Sequence, residues 1–117
     1  GANYEAATAT RTFVVDLPLE EGETLEQVRL KCFDNAGGGI DMGIWKQTMG
    51  NLATPPGTLV QIGSTQSSVN STTFQNLNVG ALSEAAPVAP SIIRAHIDID
   101  NDPSIRIYGM WVTVSRS

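Results

Sequence analysis

Val28-Arg29-Leu30-Lys31-Cys32-Phe33 places apolar residues at every second position, with Arg29, Lys31 and Phe33 between them. Only an extended strand sends successive side chains to opposite faces; a surface helix needs apolar residues three and four apart. Val28, Leu30 and Cys32 therefore face a core, and Arg29, Lys31 and Phe33 face away from it. The good helix formers just upstream, in "TLEQV", are overridden by this period of two. The pattern recurs. "RTFVVDL" turns Phe13, Val15 and Leu17 inward and stops at Pro18. "IDMGIWKQ" turns Ile40, Met42 and Ile44 inward and Asp41, Trp45 and Gln47 outward. "TLVQIGS" follows a Pro55-Pro56-Gly57 turn and reads as a strand of open phase. "TTFQNLNV", "SIIRAHIDID" and "IRIYGMWVTVSRS" complete the set.

Between these runs lie "EEGE", a glycine turn, "DNAGGG", a loop, "STQSSVNST", a polar loop, and "SEAAPVAP", a proline-spaced connection. Seven to eight short strands with regular turn signals and no helical pattern predict an all-β sandwich or barrel. A chain of 117 residues suits one domain spanning 1–117, with residues 1–8 a loose N-terminal arm. That length buries roughly 65% of the unfolded chain's surface, enough for a core without staples.

Charge and cysteine usage narrow the function. A net charge of −5 opposes nucleic-acid binding, which draws its affinity from counterions released by a basic face. It equally disfavours an anionic membrane surface, and no apolar run is long enough to span a bilayer. Cys32 is the one cysteine, so neither an internal disulfide nor a cysteine zinc site is available. Its inward phase makes it a small buried hydrophobe.

The acidic stretch "AHIDIDNDPS" carries the single histidine, His96, with Asp98, Asp100 and Asp102. An EF-hand loop would need glycine at its sixth position and glutamate at its twelfth; Pro103 and Gly109 stand there. The alternation predicts a hairpin instead, with Ile93, Ala95, Ile97 and Ile99 inward and Arg94, His96, Asp98 and Asp100 outward. "NDP" supplies the turn. In that register Ile99 opposes Ile105, Ile97 opposes Ile107, and Asp98 opposes Arg106. His96 is then a surface histidine. No nucleophile motif accompanies it, and "GGGIDMG" lacks both the third glycine and the following helix of a phosphate loop. The expectation is a non-enzyme: no catalytic residue, no metal site and no cofactor.

The aromatics carry more. In the last strand Ile105 and Ile107 share one parity, and Met110, Val112 and Val114 share the other. A bulge at Gly109 keeps all five on the core side and leaves Tyr108 and Trp111 together on the outer face. Trp45 also falls outward. Exposed rings of this kind suit a subunit interface or a sugar-stacking platform.

The run "LPLEEGETLEQVRLKCFDNAGGGIDMGIWKQ" and the closing "IIRAHIDIDNDPSIRIYGMWVTVS" resemble the β-sandwich module found near the C-termini of phage tail fibres and spikes and in bacterial surface or secreted proteins. The shared marks are the "LP-x-x-x-G" entry, the strand closed by "DN", the triplet Ile44-Trp45-Lys46, and the closing "Ile-Tyr-Gly-x-x-Val-Thr". The likeness covers Leu17 to Ser115, and its motifs are mostly structural. Isoleucines stand in "SIIRAHIDID" where such modules would carry tyrosines, which weakens a carried-over sugar-binding role. The resemblance implies a jelly-roll-like antiparallel sandwich on a virion or cell surface. It further implies a non-catalytic assembly module, homotrimeric, in contact with other virion or fibre proteins or a surface glycan. The alternative is a carbohydrate-binding module that stacks sugars on Trp45, Tyr108 and Trp111.

Overall fold

A computed structural model describes residues 11–35, 39–48, 59–88, 91–100 and 104–116. These form eight strands and no helix: β1 Arg11–Leu17, β2 Glu23–Asp34, β3 Ile40–Thr48, β4 Leu59–Ser67, β5 Gln75–Val79, β6 Glu84–Ala85, β7 Ser91–Ile99 and β8 Ile105–Arg116. They build two antiparallel sheets that pack as a sandwich. The first sheet has the order β1-β7-β3-β4. In the second, β2 is central. β8 runs along one edge of β2 from Asp34 back to Glu23, so β5 and β6 share its other edge.

The alternation sets the core. Val28, Leu30 and Cys32 of β2, Ile40, Met42 and Ile44 of β3, and Ile93, Ala95 and Ile97 of β7 are buried, as their phases require. Leu25, Leu77, Val79, Ile62 and Leu17 close the same cluster. Fully burying one such side chain contributes about 1.5–3 kcal/mol. The turn before β2 forms where "EEGE" predicts it. The Glu23 amide donates to the Glu20 carbonyl at 3.0 Å, and Gly22 takes a positive φ of 87° that suits glycine. The Pro55-Pro56-Gly57 turn, the N-terminal arm and Gly37 of the glycine loop lie outside the described residues.

Two sequence expectations are corrected. The segment from Ile92 to Val112 is not a hairpin. β7 pairs with β1 and β3, whereas β8 pairs with β2 in the other sheet. Ile99 therefore stands beside Arg11 and Ile40, Arg106 stands beside Phe33, and Asp98 does not meet Arg106. Both strands carry an apolar face. Such faces can lie side by side in one sheet or oppose each other across a core, and the alternation is the same in either case. The second correction concerns "STQSSVNST": Ser64 to Ser67 belong to β4, and Ser68 is buried. Polarity there reflects an edge strand whose side chains face solvent.

The bulge in β8 is present. Lys31 pairs with Gly109 and Cys32 with Ile107, so Tyr108 is the additional residue. Ile107, Met110, Val112 and Val114 then stand opposite Cys32, Leu30, Val28 and Leu25, all buried.

Candidate functional site

Three arrangements carry polar or exposed side chains worth weighing. The first is buried. Asp34 ends β2 with its carboxylate between the sheets. Its Oδ2 accepts hydrogen bonds from the Ser68 hydroxyl at 2.6 Å and the Gly39 amide at 3.0 Å. Ser68 Oγ in turn accepts from the Ile40 amide at 3.0 Å, and the Asp34 carbonyl accepts from the Ser71 amide at 2.9 Å. One carboxylate thus joins the end of β2, the start of β3 and the segment after β4. Burial, and then the nearby Asp34 charge, push the Cys32 thiol up to about 11, so it stays protonated and a poor nucleophile at neutral pH. The cluster is a structural clamp. Sequence reading missed it because an Asp at a strand end looks like turn chemistry; the buried Ser68 is supplied from 34 residues away.

The second arrangement is the outer face of the first sheet. His96 lies there, between Val14 and Gly43 in register, and its ring centroid is 6.3 Å from that of Trp45. Both rings are partly buried, so His96 is less solvated than a plain surface histidine. Its Nε2 is shielded and has no hydrogen-bond partner among the described residues. Asp98 accepts from the Thr12 hydroxyl and Asp41 from the Ser67 hydroxyl; Arg94 bonds Asp16 at 2.8 Å and Gln47 at 2.9 Å. No metal-holding group of acidic, histidine or cysteine side chains occurs among the described residues. His96 faces away from the core, so it cannot complete a relay with the buried Asp34 and Ser68.

The third is the outer face of the second sheet. Tyr108 and Trp111 project from β8, 53% and 47% exposed. Phe33 of β2 and Phe74, just before β5, join them. The Phe74 ring meets Tyr108 edge-on with centroids 4.9 Å apart, and Phe33 at 6.1 Å. Arg29 lies over Trp111 at 5.2 Å, and Lys31 Nζ over Phe74 at 4.9 Å. Trp45 is on the opposite sheet, so the three aromatics singled out from the sequence do not form one platform. Phe33 and Phe74, which do belong with Tyr108, were missed. The alternation turns Phe33 outward, but its partner stands 41 residues later, just before β5, and only lateral pairing reveals that.

Among the described residues the sandwich is also open along one side. β4 lies against β5, which leaves the other two edges, β1 and β8, together on the opposite flank. No described strand pairs with the outer edge of either. Val112 and Val114 face the core side yet are each 39% exposed, and Val15 of β1 is 37% exposed despite its inward phase. Comparison with protein-family models, with curated proteins and with solved structures returns no match.

Proposed function

We propose that this chain is a non-catalytic structural and assembly module of a virion or surface fibre that works as a homo-oligomer through its β1–β8 flank. The observation that carries the reading is the unprotected edge of β8. From Ile107 to Ser115 the strand contains no charged residue and no proline, the devices that normally keep an exposed edge from pairing. Core-phase valines on the same flank remain half-exposed, as in an interface awaiting its partner. A second copy brings the same apolar edge, which suits a self-complementary or cyclic contact. The resemblance to tail-fibre modules favours three copies, on a virion or cell surface. In this reading Tyr108 and Trp111 stand beside the contact.

Light scattering behind size exclusion tests it. The expected mass is three times 12.4 kDa; a monomer at high micromolar concentration rejects the reading. Val112→Lys puts a charge into the flank and is expected to release folded monomers. An assembly unchanged by that substitution would place the interface elsewhere.

A further inference from the structure

We propose that the outer face of the second sheet binds an acidic polysaccharide of the uronate class, stacking sugar rings on Trp111, Tyr108 and Phe74 and pairing carboxylates with Arg29, Lys31 and Arg106. The proposal concerns a different surface from the β1–β8 flank and goes beyond the assembly reading.

The charge distribution is the first argument. The chain is acidic overall, with twelve Asp and Glu against seven Lys and Arg. Yet residues 29–33, 74–79 and 106–113, which form the middle of this face, contain no acidic residue and three of the seven cations. Of the four cations elsewhere, three are neutralised and, among the described residues, only Arg11 is not: Arg94 pairs with Asp16, Lys46 with Glu84, and Arg116 with Glu20 and Glu23. Among the described residues Arg29, Lys31 and Arg106 have no carboxylate partner. Arg29 and Lys31 rest on aromatic rings instead. A cation held on a ring keeps its N–H donors available, and a guanidinium presents two of them side by side to a carboxylate.

The rings are the second argument. Four of the chain's seven aromatic side chains gather here. Phe33, Tyr108 and Trp111 sit on strands, where hydrogen-bonded backbone fixes their positions, and Phe74, just before β5, braces Tyr108 edge-to-face. An aromatic face in water attracts the axial C–H groups of a pyranose. Neighbouring side chains can then reach the sugar's rim. Gln27 and Asn78, hydrogen-bonded to each other at 3.4 Å, and Asn76 border the same face in register and offer amides to hydroxyls.

The combination selects the ligand. A neutral glycan gives the three cations nothing to pair with. Net charge repels nucleic acid and polyuronate alike, so binding of a single-stranded oligonucleotide in place of every uronate would overturn the proposal. A uronate presents at least one apolar ring face of C–H groups and carries its charge at the rim, which matches rings flanked by cations.

Calorimetric titration of the whole chain with oligogalacturonate, oligomannuronate and hyaluronan fragments tests this, with methyl-esterified oligogalacturonate and dextran sulfate as comparisons. At least one uronate is expected to bind, at least tenfold more tightly than the methyl ester, and more weakly as salt rises. Trp111→Ala, Arg29→Gln and Lys31→Gln are each expected to weaken it tenfold or more. Asp41→Asn, on the opposite sheet, should leave affinity unchanged. Arg29 is exposed, so its variant decides if Trp111→Ala fails to fold. No uronate binding at millimolar concentration overturns the proposal. So does equal binding of the methyl ester, binding of dextran sulfate alone, or affinity that survives Arg29→Gln and Lys31→Gln. Light scattering on the same variants reads assembly independently, so loss of one property is distinguishable from loss of the other.

Discussion

Replacing Asp34 with alanine removes the acceptor at the centre of the buried clamp. Donors that lose their partner include the Ser68 hydroxyl at 2.6 Å and the Gly39 amide at 3.0 Å. The hydroxyl can rotate, but the Gly39 amide is fixed by the backbone at a buried residue. A buried donor left unsatisfied costs about 1–3 kcal/mol, and a hydrogen bond to a charged group is worth about 1.5–3 kcal/mol. Relief of the carboxylate's own desolvation offsets part of this. The expected net loss is about 2–4 kcal/mol. At roughly 4 °C per kcal/mol for a chain of this length, Tm should fall by about 8–16 °C. Urea unfolding of the wild type, Asp34→Ala, Ser68→Ala and the double variant measures both the loss and the coupling. If the two side chains act as one network, the double variant should be non-additive by at least about 0.5 kcal/mol. A loss below about 1 kcal/mol, or additive singles, would refute the clamp.

Two further outcomes are expected. Leu30 is fully buried at the centre of β2, so Leu30→Asp should abolish cooperative folding and Leu30→Ala should cost about 2–5 kcal/mol; a folded, cooperative Leu30→Asp domain would contradict the strand phase. Burial, and then the charge of Asp34, raise the Cys32 thiol from 9.0 to about 11, so between those values the unfolded chain has lost a proton that the folded chain keeps. Stability should therefore fall as pH rises through about 9–11, by about 2–3 kcal/mol in all. Denaturant midpoints across that range, with Cys32→Ala as the variant lacking this slope, check it.

The side-chain period of two determined much of this protein without help from tertiary structure. It assigned the inward phases of β1, β2, β3 and β7, because a strand has only two faces and one must be apolar. It also placed the bulge in β8, since Ile107 and Met110 can share a face only if one residue is inserted between them. What it could not determine is which strand lies beside which. β7 and β8 follow each other in sequence and alternate alike, yet they belong to different sheets. Lateral pairing and face-to-face packing bury the same apolar residues, so the pattern does not distinguish them. The features with functional weight all depend on that choice. Phe74 reaches Tyr108, Asp34 reaches Ser68, and the flank at β1 and β8 stays open only because the chain crosses between sheets where a hairpin would have kept it in one.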